Sequence, residues 1–189
     1  MSETVEFAQE AVEQAGSNKI NSMVAIFVAL TATFMAICNV KDGNLVQAMS
    51  QAQVHALDTW SYFQAKSTKQ ALAENTLAIL KIQEKASNDE LIAKYEAQIA
   101  RYEKEKTTLK QKAEAYEKEY DDLNVFDDQY DATEALLTVA IAMFGIAALT
   151  QKKWLLGFAS AISLLGLVYG LAAFLQTSLH SDFLSKILG

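Results

Sequence analysis

Three long stretches without a charge flank one highly charged, proline-free middle, and that layout limits what the chain can fold into. Between Lys19 and Lys41 lie 21 residues without a charge; between Glu134 and Lys152 lie 17, and between Lys153 and Asp182 lie 28. A bilayer core about 30 Å thick needs roughly 20 apolar residues at 1.5 Å rise each. The layout predicts an integral membrane protein carrying an extramembrane helical insertion. Proline is absent from all 189 residues, and a proline inside a helix costs about 3 kcal/mol, so long helices account for its absence more simply than loops or sheets do.

The fold class expected is therefore all-α: three transmembrane helices, with a long extramembrane antiparallel hairpin, a coiled coil, inserted between the first and second. The chain divides into an acidic N-terminal segment (1–19), transmembrane helix 1 (20–40), the helical hairpin (41–132), transmembrane helices 2 and 3 (133–176) and an interfacial tail (177–189). Residues 3–15 fit a short amphipathic helix with Val5, Ala8, Val12 and Ala15 on one face, or a frayed tail. The first apolar stretch lacks the basic lead and the cleavage site of a signal peptide and is too long for one, so it reads as a retained membrane helix.

The hairpin turns at Ser87-Asn88-Asp89-Glu90, a capping box in which Ser87 caps the next helix. Its arms cover 45–86 and 88–124, each about 55–65 Å long at 1.5 Å per residue. The second arm has the clearest periodicity: Tyr95, Tyr102, Leu109, Tyr116 and Leu123 recur every seven residues, and Ile92, Ile99, Lys106, Ala113 and Tyr120 precede them by three. This is a five-heptad seam with one polar insertion, Lys106, whose ammonium must reach water or an acid. The seam packs on the first arm or serves a partner.

Small residues line two membrane faces. Ala25, Ala29, Ala32 and Ala36 share one side of helix 1; Ala159, Ser163, Gly166, Gly170 and Ala173 share one side of helix 3. Small residues let helices approach closely in lipid, where no hydrophobic drive brings them together.

Chemistry is sparse. The net charge of −7 argues against nucleic acid, which rewards a basic face. No P-loop, nucleophile elbow or dinucleotide fingerprint is present. His55 and His180 stand far apart and lack ligand-spaced companions, and the single Cys38 has no adjacent base. Eight acids crowd 117–134, with Asp127, Asp131 and Glu134 on one helix face; without a calcium-loop pattern they read as a solvated connector. No catalytic residue, cofactor or metal is expected. The central parts of the membrane stretches carry no carboxylate, lysine or arginine, which argues against an ion-coupled pump.

The segment Asp58-Thr59-Trp60-Ser61-Tyr62-Phe63-Gln64-Ala65-Lys66-Ser67-Thr68-Lys69 resembles a signature of the domain-of-unknown-function family 4337 of bacterial membrane proteins, with Phe63 in place of a second tyrosine. The stretch from Glu134-Ala135-Leu136-Leu137 to Lys153-Trp154 is similar too. The resemblance implies a bacterial inner-membrane setting and no known activity. It singles out Trp60, Tyr62, Gln64, Lys66 and Ser67 as candidate interaction positions. Helical geometry groups Trp60, Gln64 and Ser67 on one face, with Tyr62 and Lys66 on another.

Lys19, Lys152 and Lys153 oppose Lys41 alone, which favours the hairpin outside, on the periplasmic side. The function expected is a non-enzymatic membrane scaffold that self-assembles, with membrane lipids, other copies and a protein partner as contacts. The alternative is an oligomeric passive channel with Thr31, Thr33, Cys38, Asn39 and Ser160 along its path; a sensor would lack an inside output domain.

Overall fold

The structure, a computed structural model, describes residues 19–83 and 89–177. Among them helix is the only regular secondary structure: α1 spans Lys19–Ile82, α2 Asp89–Thr150 and α3 Lys153–Phe174. Each is long and apolar enough over part of its length to cross a membrane. The expected N-terminal helix, the capping serine and the interfacial tail from residue 178 onward lie outside the described residues.

Sequence reading divides α1 at Lys41-Asp42-Gly43-Asn44 and makes the acidic run 117–134 a connector. In the structure both helices run through these stretches without interruption. A single interior glycine costs a helix only about 1 kcal/mol, and Gly43 has a helix-compatible backbone with open space around it. Without a proline, nothing in either stretch forces a break.

Helix termini follow ordinary electrostatics and turn chemistry. Asp89 and Glu90 occupy the first turn of α2, and Lys81 the last turn of α1, each complementing the helix dipole. The α2–α3 connection is two residues long. Gln151 adopts a left-handed backbone (φ 58°) and its N–H donates to the Ala147 carbonyl at 2.9 Å, an αL stop built without glycine. So short a connection makes α2 and α3 antiparallel neighbours. The Gln151 side chain also donates to Asn21 Oδ1 at 2.6 Å, which ties this turn to the start of α1. At the far end of α3, Gln176 is left-handed (φ 52°), with Gln176 N–H bonded to Ala173 O and Thr177 N–H to Ala172 O, a Schellman closure.

The described residues form two compact units. The first contains 19–47 and 123–177, the second 48–83 and 89–122. In the first, α1, α2 and α3 enclose a core of Val24, Val28, Met35, Leu137, Ala140, Ile141, Phe144, Ala147, Leu155, Leu156 and Ala159. Its outward surface is also apolar: Ile26, Leu30, Ile37, Val139, Ile146, Leu149, Phe158, Leu164, Val168 and Leu171 are all exposed. A helix bundle apolar inside and outside is the pattern of a membrane domain.

In the second unit the two helical segments run antiparallel. His55 stacks on Tyr116 with ring centroids 5.1 Å apart, Trp60 Nε1 donates to Glu117 Oε1 at 2.7 Å, Lys66 meets Glu105 at 2.5 Å, and Lys81 meets Glu96 at 2.7 Å. Between these pairs the inward side of the first segment steps through Met49, Ala52, Ala56, Thr59, Phe63, Lys66, Gln70, Ala73, Leu77 and Leu80. That is the three-four alternation of a heptad.

Candidate functional site

The five signature positions divide differently from the helical grouping made on the sequence. Trp60, Lys66 and Ser67 turn partly inward, while Tyr62 and Gln64 are exposed. Lys66 therefore belongs with Trp60 and not with Tyr62. Residues 60 and 66 are six apart, about one residue short of two full turns, so both lie beside the seam. Trp60 meets Phe63 edge-on at 5.4 Å while its indole N–H is bonded to Glu117. The Lys66 ammonium lies between the Glu105 carboxylate and the Tyr102 ring, 5.3 Å from its centroid. Arg101 reaches the same carboxylate at 2.7 Å, and the hydrogen bonds from Lys66 and Arg101 hold Glu105 below the usual carboxylate range.

All ten seam residues from Ile92 to Leu123 are at least partly buried: Tyr95, Tyr102, Leu109, Tyr116 and Leu123 are half-buried, and Ala113 is fully enclosed. Lys106 meets the condition set for a polar seam residue. Its ammonium donates to Gln70 Oε1 at 3.2 Å, lies 3.5 Å from Glu103, and sits over the Phe63 ring. Because Leu109 is half-buried, Leu109→Ala should cost about 1–2 kcal/mol, below the range for a full cavity. Hydrogen exchange on the full-length protein checks this: amides of 60–80 should lose protection by that amount, and those of 137–147 should not.

The two small-residue faces have different fates. On α3, Ala159, Ser163, Gly166, Gly170 and Ala173 are all buried within the chain. Gly166 lies against Leu137 and Leu136, and Gly170 against Phe34 and Thr133. Ser163 Oγ and Thr31 Oγ1 share a buried hydrogen bond of 2.9 Å linking α3 to α1. On α1, Ala25 is buried and Ala32 half-buried, but Ala29 and Ala36 face outward. The inward side of α1 instead carries Val24, Val28, Thr31, Met35 and Cys38.

The polar residues considered for a pore are mostly engaged inside the chain. Thr31 bonds Ser163; Thr33 donates to Ala29 O at 2.7 Å and Ser160 to Leu156 O at 2.8 Å. Cys38 is buried, and Asn39 is exposed.

One constellation was missed on the sequence. Asp42 of α1 is half-buried and close enough to Asp127, Asp131 and Glu134 of α2 to feel their charge. Burial first, then the Asp127 and Asp131 charges, pushes the Asp42 carboxyl up to about 6. Asp127 is raised as well, by burial and by Asp131. Lys41 on the same helix points over the Phe174 ring instead, 5.7 Å from its centroid. The signal was available: 28, 31, 35, 38 and 42 form one continuous helical face, which the assumed break at 41–44 cut short. A folded-state pKa above the ordinary 3.8 favours the fold below that ordinary value and withdraws the contribution as pH rises through about 6. Asp42→Asn should therefore raise the Tm more at pH 7.5 than at pH 4, and a melting series in mild detergent across that window measures it.

Among the described residues no three His, Cys, Asp or Glu side chains converge as metal ligands. A shallow groove of about 390 Å³ is lined by Lys66, Lys104, Glu105, Thr108 and Leu109. It brings together the Lys66–Glu105 ion pair, with no nucleophile and base in contact.

Fold and site together define an all-α protein with three helices fit to cross a membrane and a second, charged helical unit. The chain belongs to the family described as a domain of unknown function, DUF4337, which matches residues 20–176. No curated protein and no solved structure matches it.

Proposed function

We propose that this protein is a non-enzymatic, multi-pass membrane scaffold that self-associates and presents an antiparallel coiled-coil hairpin to other copies or to a protein partner. The observation that carries the reading is the way the second unit spends its polar side chains. Trp60, Lys66, Gln70 and Lys81 are engaged by Glu117, Glu105, Glu103 and Glu96 of the facing segment. Groups that could do chemistry hold two helices together instead, and the seam at heptad spacing supports a coiled coil.

The setting proposed is a bacterial inner membrane. Lys19, Lys152 and Lys153 gather at one end of the first unit, where Gln151 is bonded to Asn21. Asp42, Asp127, Asp131 and Glu134 gather at the other. A lysine-bearing end facing the cytoplasm and an acidic end facing the periplasm follow the positive-inside bias. The scaffold reading ranks above a passive channel because the candidate pore hydroxyls are bonded within the chain.

Native mass spectrometry of the full chain in mild detergent tests the proposal. Assemblies of two or more copies, or a co-purifying protein held by the hairpin, support it. A strictly monomeric protein with no partner overturns it.

A further inference from the structure

The lysines at one end of the first unit are used differently from those of the second. In the second unit Lys66, Lys81, Arg101, Lys106, Lys110 and Lys118 each reach an acid. Lys19, Lys152 and Lys153 are exposed, and among the described residues none of them forms an ion pair. The cause lies in the sequence. α1 holds no acid before Asp42, and beyond Glu134 the described residues of α2 and α3 hold none. At 1.5 Å per residue these acids stand about 25–35 Å away along the helices.

Packing fixes this end. Gln151 is bonded to Asn21, and Leu155 and Leu156 are buried in the core shared by the three helices. Trp154, between Lys153 and that buried pair, is turned outward and 66% exposed. Tryptophan beside lysine at the end of a membrane helix belongs at headgroup level. One helical turn deeper, Met23 follows Lys19 and Phe158 follows Trp154, and both are exposed. A positive rim therefore runs directly into outward apolar surface on two helices.

The chemistry that matches is an amphiphile, with an anionic phosphate at the rim and acyl chains below it. A nucleic acid or an acidic peptide would meet the charge and leave the apolar part unused. The opposite end refuses the same ligand. Its carboxylates Asp42, Asp127, Asp131 and Glu134 repel a phosphate, and its Lys41 lies over the Phe174 ring.

We propose that Lys19, Lys152, Lys153 and Trp154 form a seat for an anionic phospholipid, and that the acidic end of the first unit holds none. This rests on the membrane reading of the first unit and is independent of self-association. Each lysine beside an anionic headgroup adds to retention, whereas a zwitterionic lipid with the same chains gains only the apolar part.

Native mass spectrometry of the full chain in mild detergent tests this, with titration by phosphatidylglycerol or by phosphatidylcholine of the same chains. The parent should bind phosphatidylglycerol about tenfold more tightly. Lys152→Gln with Lys153→Gln should remove most of that preference, and Lys41→Gln should leave it intact. In the parent alone, raising the ionic strength about tenfold should erode it, a readout that needs no variant. Equal binding of the two lipids, or a preference that survives the double substitution, overturns the inference. So does a carbodiimide cross-link from Lys152 or Lys153 to Glu10 or Glu13, which assigns these lysines to the N-terminal segment. None of these outcomes touches the scaffold reading. Release of the chain from membranes by alkaline carbonate without detergent would instead sink the membrane reading itself, and this inference with it.

Discussion

Gly170→Leu is expected to abolish the packing of α1, α2 and α3, and Gly170→Ala to cost about 1–3 kcal/mol through overpacking. A Cβ at position 170 would lie 2.7 Å from Phe34 Cε1 on α1 and 2.9 Å from Thr133 Cγ2 on α2. Neither neighbour has an easy retreat. Phe34 is tilted against Phe174 with centroids 6.5 Å apart, and Thr133 is fully buried with its hydroxyl bonded to Gln129 O. Gly166 is close behind: its Cβ would meet Leu137 Cδ2 at 2.6 Å and Leu136 Cβ at 3.2 Å, and Leu137 is itself fully buried. Gly157 provides the contrast, with nothing within 4 Å. Gly157→Ala should gain about 0.5–1 kcal/mol from helix propensity. Denaturant titration in mild detergent, followed by tryptophan fluorescence, orders the three alanine variants. The losses at 166 and 170 should not depend on protein concentration, because both glycines pack against helices of their own chain. A Gly170→Ala protein as stable as the parent would show that this contact is wrong.

The sequence made the helical class, the three membrane stretches and the α3 small face legible because each rests on a strong local pattern. Runs without charge define the stretches, and five small residues in register define the face. The second-arm seam was legible for the same reason, since tyrosines and leucines at seven-residue spacing stand out among charges. Its counterpart on α1 was not. Six of its ten positions are Ala52, Ala56, Thr59, Lys66, Gln70 and Ala73, so composition does not distinguish the inward side. The exposed Val54, Leu57, Leu72 and Ile79 make the other side read as more apolar. The Asp42–Asp127 contact was hidden by a local rule applied too strongly, because a Lys-Asp-Gly-Asn run signals a turn in isolation. Within a 64-residue helix that preference is overridden by the continuity of hydrogen bonding and packing on both sides. The alanine face of α1 is split by the fold: Ala25 and Ala32 flank the inward side, while Ala29 and Ala36 face outward. Spacing alone finds a stripe without finding which way it points.

Phe144→Ala carries the second large expected effect. Phe144 is the largest fully buried side chain of the first unit, at 0% exposure. It belongs to the core shared by all three helices and stacks on Phe27 of α1 with centroids 5.6 Å apart and planes 4° from parallel. Removing a buried phenylalanine side chain costs about 3–5 kcal/mol where the site collapses only partly. In a membrane the helices gain nothing from excluding water at their contacts, so the loss falls on close packing itself. Phe27 then loses its stacking partner, while Leu137 and Ile141 on the same helix hold the surrounding walls apart. Phe144→Leu, which fills most of the space, should recover more than half of the loss. Phe158→Ala is the surface control. That ring is 53% exposed on the outward side of α3, where lipid replaces the missing contacts, and a change within about 0.5 kcal/mol is expected. Denaturant titration should therefore rank the chains as parent and Phe158→Ala together, Phe144→Leu below them and Phe144→Ala lowest. Equal stability of the two alanine variants would mean that the Phe144 ring faces lipid, and the packing of α1 against α2 would have to be redrawn.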